Sequence, residues 1–332
     1  MTQTRYDVLA IGNAIVDVIS DADDAFIAAQ KLNKGGMTLI DAERAQSLYD
    51  AMGPGREISG GSAANTLAGL SRLGHKTAFI GQVSQDQLGD VFAHDIRATG
   101  IDFDVPARPG EPPTARCLIL VTPDAQRTMN TFLGAAQFLP ETAIDKGKIE
   151  ASDWLYLEGY LWNAPESRAA MTGAIAIAKK AGRKVALTLS DAFVVDGHRD
   201  EFFALMDDGS LDLLFANDTE VRAMMQTEDT EAAVAALAAR VPMLVCTHGA
   251  AGAEAHRGDE HARGGAEKVN RVVDTTGAGG LFAAGGFAGL AEGRSLEDCL
   301  TMGAVCAAEV ISHYGARPEA DIRKLVAERL GS

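Results

Sequence analysis

Residues Val273–Leu290 read VDTTGAGGLFAAGGFAGL, which combines the end of a strand, a glycine-rich turn and the start of a buried helix. Residues 277–280 (GAGG) have almost no side chains, so an anion can touch the backbone there. The residues that follow are apolar at helical spacing. Free N–H groups and the positive end of the helix dipole would then face the turn. The stretch therefore predicts a cradle for a phosphate or another oxyanion.

Two familiar phosphate-binding signatures do not fit the chain. The Gly147-Lys148 pair has Thr142 where a P-loop needs its first glycine, and Ile149 follows it. Phe282 stands where a dinucleotide fingerprint has its third glycine. Small residues also occur at strand-to-helix turns simply because helices pack closely on sheets. Taken alone, the stretch leaves both an anion cradle and close packing open.

The composition is that of a large, acidic globular protein. The chain has 332 residues, 47% of them hydrophobic, enough for one large α/β domain or two smaller ones. Its 30 basic and 46 acidic side chains give a formal charge of −16, which repels nucleic acid and anionic membranes. The four cysteines lack C-x-x-C spacing, and no stretch resembles a secretion signal or a membrane span. We therefore expect free thiols and a cytoplasmic location.

Strand and helix patterns alternate along most of the chain. Tyr6–Gly12 has the character of a buried parallel strand, and regular alternation begins again at Trp154. This alternation predicts a parallel sheet covered by helices on both faces. Ala115–Thr122 and Arg127–Phe132 instead form a hairpin without an intervening helix. With residues 16–20 and 37–40, this hairpin is predicted to form a small antiparallel lid.

Polar side chains follow the predicted strands at the points where they end. Ligands in open α/β sheets bind beyond the carboxyl ends of the strands, so these side chains should converge. Carboxylate and amide oxygens suit hydrated Mg²⁺, and hydroxyls and glycine N–H groups suit phosphates. Taken singly, Asn13, Asn65 and Glu220 are also compatible with ordinary capping or turn roles.

Five short motifs occur in the order in which the ribokinase-like (PfkB) carbohydrate kinases have them. They are Gly12-Asn13 through Asp17, Gly60-Gly61 with Asn65, Asn217-x-x-Glu220, Thr247-x-Gly249-x-x-Gly252, and Asp274-Thr275-Thr276-Gly277-Ala278-Gly279. The chain resembles this family along nearly its whole length, and most of all its adenosine kinase branch. The resemblance implies one kinase domain, residues 1–332, with a three-layer α/β/α ribokinase-like fold. Its lid segments would lie at about residues 14–41 and 103–133.

The resemblance also implies a role for each matched residue. The acceptor's hydroxyls would be held by Asn13, Asp17, Gly60, Gly61 and Asn65. ATP would be bound by Asn217, Thr247, Gly249 and Gly252, and Mg²⁺ by Glu220 through water. The backbone N–H groups of Gly277, Ala278 and Gly279 would stabilise charge on the transferring phosphoryl group. Asp274 and Thr276 resemble the family's loop for a monovalent cation such as K⁺.

One position departs from the family pattern. The family has an aspartate directly after Gly277-Ala278-Gly279, as the base that takes the proton from the acceptor hydroxyl, and this chain has Gly280. Glycine cannot accept a proton, and a positioned base contributes on the order of 10²–10⁴-fold, so binding can survive while turnover drops. A substitution made to trap a complex, a sequence error, and a natural protein that binds without turnover all stay open.

The features together predict an ATP-dependent kinase for the 5′-hydroxyl of adenosine or a related nucleoside. Phe132, Leu133 and Trp162 are candidate walls for the base, although they could equally be lid core. The alternatives are a sugar kinase acting on ribose, fructose or a keto-deoxy sugar acid, and a non-catalytic protein that binds a nucleoside or sugar. The expected partner is a small-molecule acceptor, with no nucleic acid or membrane, and the protein is expected to be a monomer or a homodimer.

Overall fold

The computed structural model describes residues 5–124 and 126–331. Its strands are, in chain order, β1 (Tyr6–Ile11), β2 (Ile15–Asp21), β3 (Met37–Leu39), β4 (Arg56–Gly60), β5 (Thr77–Ile80), β6 (Ile101–Asp102), β7 (Ala115–Val121), β8 (Arg127–Phe132), β9 (Ser152–Glu158), β10 (Lys184–Thr188), β11 (Leu213–Asn217), β12 (Met243–Thr247), β13 (Ala253–Arg257) and β14 (Glu260–Gly264).

The helices are α1 (Asp24–Ala29), α2 (Ala42–Ala51), α3 (Ser62–Arg72), α4 (Gln87–Ala98), α5 (Lys146–Glu150), α6 (Pro165–Lys180), α7 (Ala192–Asp207), α8 (Asp218–Met225), α9 (Thr230–Ala238), α10 (Ala278–Ala291), α11 (Leu296–Val310) and α12 (Ile322–Leu330). Short 3₁₀ helices cover Gly134–Gln137, Glu141–Ala143, Gly159–Asn163 and Gly249–Ala251. No helix in the described ranges is long and apolar enough to cross a bilayer.

The main sheet has nine strands in the order β14-β13-β12-β11-β10-β9-β1-β5-β6. From β6 to β12 every pair is parallel, as the alternation of strands and helices predicts. The antiparallel hairpin of β13 and β14 extends the edge beyond β12. The carboxyl ends of β1 and β9 to β12 therefore meet along one edge of the sheet, which is where ligands bind in such sheets.

Helices cover both faces of the main sheet, and strand β9 shows this directly. Trp154 and Tyr156 point to one face, where their rings pack edge-on against Phe287 of α10 at centroid distances of 5.7 and 5.2 Å. Leu155 and Leu157 point to the opposite face and are also buried. A strand buried on both faces reads as a continuous apolar run, which is why its position could be predicted.

The lid is a separate five-stranded sheet in the order β3-β8-β7-β2-β4. Its β7–β8 and β2–β4 pairs are antiparallel, but β2 runs parallel to β7 and β3 runs parallel to β8. The predicted antiparallel hairpin is present, but the lid as a whole is a mixed sheet, because two of its four pairs are parallel. The reason is that β2, β3 and β4 join the β7–β8 hairpin from distant parts of the chain, and nothing in the local sequence sets their direction.

The hairpin β13–β14 is absent from the sequence-based predictions, although the chain carries a signal for it. Gly258 and Asp259 form a two-residue connection, and Gly258 has a positive φ of 57°. Such Gly-x connections are typical of tight hairpins. The strands on either side are short and rich in charged residues and histidine, which hides the alternation.

Candidate active site

A cavity of about 500 Å³ lies between the carboxyl edge of the main sheet, the first turns of α3 and α10, and the lid. Of the residues predicted for the site, those on its wall are Asn13, Asp17, Gly61, Asn65, Asn217, Glu220, Thr247, Thr276, Gly277, Ala278, Gly279 and Gly280. The other predicted residues are not among those that line the cavity: Gly60, Gly249, Gly252 and Asp274. Parts of the chain more than 260 residues apart in sequence thus meet at one cavity of a size suited to a small ligand.

The first turn of α10 presents unpaired amide groups to the cavity. Gly277 is the N-cap residue with a φ of 83°, and a Cβ atom there would lie 2.7 Å from the Cβ of Ala316. The amide of Ala278 donates to the carbonyl of Thr275 at 3.2 Å, so it is already engaged. Within the described residues, the amides of Gly277, Gly279 and Gly280 have no hydrogen-bond partner. This turn is suited to hold an anion, with Gly280 rather than Ala278 as the third donor.

Gly280 leaves little but sufficient room for a side chain. It belongs to the helix itself, because α10 begins at Ala278 and not after the glycines. A Cβ atom there would lie 3.2 Å from the Oγ1 of Thr66 and 3.4 Å from the carbonyl oxygen of Ser62. A side chain at this position therefore needs Thr66 to move by only a few tenths of an ångström.

The predicted acceptor residues surround one polar corner of the cavity. The Nδ2 of Asn13 donates to the Oε1 of Glu158 at 2.7 Å, which orients the carboxamide. The Oδ1 of Asn65 is buried and has no hydrogen-bond partner among the described residues. An orphaned buried acceptor costs free energy unless a ligand donor satisfies it. Gly61 has a φ of 98°, and a side chain there would collide with the carbonyl of Asn13.

Asp17 projects from β2 of the lid into this corner. Burial raises the pKa of its carboxyl to about 6, and the charges of Arg127 and Arg317 hold it from rising further. Gly60 lies beside it, where a Cβ atom would come within 2.5 Å of the Oδ2 of Asp17. Gly60 therefore contributes space for Asp17 to turn toward a ligand rather than a contact of its own.

Glu158 is a residue of the cavity wall that the sequence did not predict. It ends strand β9, lines the cavity and is almost fully buried. Its Oε2 accepts from the amide of Ala63 in the first turn of α3 at 2.9 Å. Burial raises the pKa of this carboxyl, while the bonds from Ala63 and Asn13 oppose the shift. Its position at the end of a predicted strand was the available signal, but its partners are distant in sequence.

Asn217 and Glu220 form a capping box at the start of α8. The Oδ1 of Asn217 accepts from the amide of Glu220 at 3.0 Å, and Glu220 accepts from both the amide and the Nδ2 of Asn217. Burial raises the pKa of Glu220 to about 7. A carboxylate has more acceptor positions than these two bonds occupy. The pair therefore fits the outer shell of a hydrated Mg²⁺ ion while it also caps the helix.

The motif from Thr247 to Gly252 forms a tight turn between β12 and β13. Thr247 lines the cavity, and the amide of His248 donates to the carbonyl of Gly252 at 2.8 Å. Gly249 and Gly252 have positive φ values of 54° and 103°. The two glycines shape the backbone beside the cavity, and only Thr247 reaches into it.

Asp274 forms an ion pair that the sequence does not predict. Its Oδ2 contacts the Nη1 of Arg127 in lid strand β8, and both side chains are almost fully buried. The same carboxylate accepts from the amides of Thr276 at 3.0 Å and Gly315 at 3.2 Å. The guanidinium and two N–H donors surround Asp274, whereas K⁺ needs oxygen ligands. The residues present therefore do not fit a monovalent cation at this carboxylate while Arg127 occupies it.

The lid supplies one apolar wall of the cavity. In sheet register, Asp17, Cys117, Thr131 and Leu39 form one row across the strands. A second row contains Ile119, Met129 and Met37, and all of these side chains line the cavity. Of the three candidate wall residues, Leu133 lines the cavity but Phe132 and Trp162 do not. Trp162 instead packs against Phe202 and donates to Glu201.

A helix N-terminus with free amides, convergent carboxylates and a β lid at the carboxyl edge of a parallel sheet are together typical of sites for phosphoryl transfer to a small acceptor. The comparison with known families agrees with this class. The chain belongs to the pfkB family of carbohydrate kinases, whose model matches residues 29–323. It is therefore a kinase with the ribokinase-like fold.

Three similar proteins illustrate the range of the family. The crystal structure of adenosine kinase from Sinorhizobium meliloti is 45% identical, with a TM-score of 0.90 over 99% of this chain and 100% of that one. A structure described as a "probable sugar kinase" from Rhizobium etli is 44% identical, with a TM-score of 0.91 over 99% of both chains. Adenosine kinase from Saccharomyces cerevisiae is 24% identical across 93% of this chain and 95% of its own length.

Proposed function

We propose that this kinase phosphorylates the 5′-hydroxyl of adenosine or a related nucleoside, with Mg-ATP as the donor. The observation that carries the nucleoside is the apolar face of the lid. Met37 and Leu39 expose 43% and 52% of their surface beside the polar corner of Asp17. A free sugar is smaller and more polar than a nucleoside and would leave more of this apolar face uncovered, whereas a purine base would cover it. The adenosine kinase from Sinorhizobium meliloti supports the same class of acceptor.

Different residues of the cavity would have different roles in such a reaction. Asp17, Asn13 and Asn65 would hold the ribose hydroxyls, because they offer complementary donors and acceptors. The amides of Gly277, Gly279 and Gly280 would stabilise the charge on the transferring phosphoryl group. Asn217 and Glu220 would hold the waters of Mg²⁺, which neutralises phosphate charge when it is bound. Thr247 would contact ATP.

The proposal includes the organisation and location of the protein. Residues 1–332 would act as one kinase domain, in which the lid segments at about residues 14–41 and 103–133 cover the acceptor. The four cysteines are free and buried. Free thiols are typical of a reducing compartment, so we place the protein in the cytoplasm.

The proposed acceptor is tested by measuring ADP release with adenosine, inosine, ribose and fructose at fixed Mg-ATP. Because Gly280 replaces the expected base, the assay needs both the wild-type chain and the Gly280→Asp variant. We expect kcat/KM to be highest for adenosine in both proteins. A higher value for ribose or fructose would refute the nucleoside assignment and support the sugar kinase.

A second candidate function follows from Gly280 itself. Without a base, the chain can bind a nucleoside or sugar and transfer phosphate only very slowly. Calorimetry would separate this case from an active kinase. Saturable binding of adenosine, combined with no measurable ADP release, would identify a binding protein.

A further inference from the structure

The outer hairpin of the main sheet carries a group of histidines outside the cavity. His256 on β13 and His261 on β14 lie directly opposite each other in the sheet register. Their rings are stacked, with centroids 4.3 Å apart and an angle of 22° between the planes. Glu254 lies two residues before His256 and therefore on the same face of the hairpin. Cross-strand neighbours of this kind are close enough to share a ligand.

The three side chains point their polar atoms at a common centre. The Oε2 of Glu254 lies 3.0 Å from the Nε2 of His256 and 3.0 Å from the Nε2 of His261. The ligand atoms of the three residues all lie within 4.8 Å of one another. His261 is 42% exposed and His256 is 22% exposed, so solvent and ions can reach the centre.

Glu254 has an unusual concentration of donors for a single buried carboxylate. Its side chain is only 4% exposed, and its Oε1 is bonded to the Nε2 of His248 at 2.9 Å. Its Oε2 alone faces His256, His261 and Arg263, which is more donors than the oxygen can bond well. Arg263 makes only long contacts of 3.3 and 3.4 Å, and its side chain is 63% exposed, so it can turn into solvent.

We propose that Glu254, His256 and His261 form a binding site for a divalent transition metal, with Zn²⁺ as the best match. Two imidazole nitrogens and one carboxylate oxygen are ligands that zinc, cobalt, nickel and copper bind well, whereas Mg²⁺ and Ca²⁺ prefer oxygen alone. Neutral imidazole binds the metal through Nε2, and its proton moves to Nδ1. Three protein ligands leave room for a water molecule.

His248 is bonded to one of the proposed ligands and would hold it in place. The Oε1 of Glu254 bonds the Nε2 of His248 at 2.9 Å, and His248 also contacts Asp218 through its Nδ1. Such an outer hydrogen bond fixes the orientation of a ligating carboxylate. His248 belongs to the turn between β12 and β13, so a bound metal would tie the outer hairpin to that turn.

A neighbouring group of Asp218, Cys246 and His248 also has metal-ligand spacing but is a poorer site. Cys246 is fully buried, whereas His256 and His261 are partly exposed, so an ion reaches the Glu254 group more easily. A Cys246→Ser variant therefore distinguishes the two groups.

The experiment is titration of the metal-free full-length chain with Zn²⁺ by calorimetry, and with Co²⁺ by visible absorption. We expect one saturable site, a Co²⁺ spectrum of nitrogen and oxygen ligation, and a higher Tm with Zn²⁺. His261→Ala should weaken binding at least tenfold, because it removes a direct ligand. His94→Ala, which changes an exposed histidine on α4, and Cys246→Ser should bind as the wild type does.

The proposal is overturned if the wild type shows no saturable binding of either metal. It is also overturned if Cys246→Ser abolishes binding while His261→Ala does not, since the ligands would then be the neighbouring group. His261 is exposed, so a folding failure of its variant is not expected. Circular dichroism of the metal-free His261→Ala and His94→Ala proteins should be the same, and His256→Ala gives an independent repeat.

Discussion

Replacing Gly280 with aspartate should raise the rate of phosphoryl transfer by this kinase. The new carboxylate would stand at the third position of α10, beside the unpaired amides of the helix start. A positioned base contributes on the order of 10²–10⁴-fold to the rate, equivalent to about 3–5 kcal/mol of barrier. The steric change is small, because the new Cβ atom meets the Oγ1 of Thr66 at 3.2 Å. An acidic residue in the first turn should also stabilise the helix by about 0.3–1 kcal/mol.

The assay is coupled ADP release with adenosine and Mg-ATP, together with calorimetry for adenosine. We expect kcat to rise by at least about a hundredfold, with adenosine affinity changing little. Gly280→Asn is the matched control, because it has nearly the same shape and cannot act as a base. Gly286→Ala controls for helix propensity, since its new Cβ atom would lie 3.8 Å from Phe215, at ordinary contact distance. It should raise stability by about 1 kcal/mol without changing kcat.

Two results would refute the assignment of a missing base. If Gly280→Asp and Gly280→Asn raise kcat equally, the gain comes from packing and not from proton transfer. If neither changes kcat, although adenosine and ATP both bind, the proton is taken by another group or the acceptor is a different molecule. Such a result would make the carboxylates of the cavity wall the candidates for the base: Asp17, Glu158 and Glu220.

Further changes test individual parts of the site. If the ionised form of Asp17 holds the acceptor's hydroxyls, as we propose, adenosine affinity measured by calorimetry should fall as the pH drops through about 6. This dependence should be lost in Asp17→Asn. Arg127→Met would leave Asp274 buried without its partner, so it should lower the free energy of unfolding by about 3–5 kcal/mol in denaturant titrations. If K⁺ raises the Tm of that variant but not of the wild type, the guanidinium of Arg127 occupies a position that a monovalent cation can fill. Gly277→Ala would place a Cβ atom 2.7 Å from Ala316 on a residue with a left-handed backbone conformation, so both the Tm and the rate of phosphoryl transfer should fall. Gly279→Ala is the control, because its Cβ atom would meet open space and the Tm should not change.

Much of the site could be predicted because its residues lie at the ends of predictable elements. Asn13 follows β1, Asn217 ends β11 and Gly277 begins α10, and each of these boundaries has a local signature in the chain. Periodicity of apolar residues identifies strands and helices, and glycine marks the turns between them. The rule that ligands bind beyond the carboxyl ends of the strands then brings these positions together without any coordinates.

The partners of these residues could not be predicted, because they depend on contacts across the fold. Glu158 holds Asn13 and Ala63 from a strand 95 residues or more away in sequence. Arg127 reaches Asp274 across 147 residues, from the lid to the loop before α10. No local pattern distinguishes this arginine from one in solvent, so its contact with Asp274 could not be predicted.

By itself, the sequence determined the parallel sheet, the lid hairpin, the glycine-rich turn at residues 277–280 and the unusual glycine at position 280. These depend on local periodicity and on the order of short motifs, both of which survive without three-dimensional information. Only the tertiary structure decided which amides of that turn are free, that the lid is a mixed sheet, that Arg127 occupies Asp274, and that two histidines and Glu254 meet on the outer hairpin. Those features depend on hydrogen-bond partners and strand register, which are set when distant segments pack together.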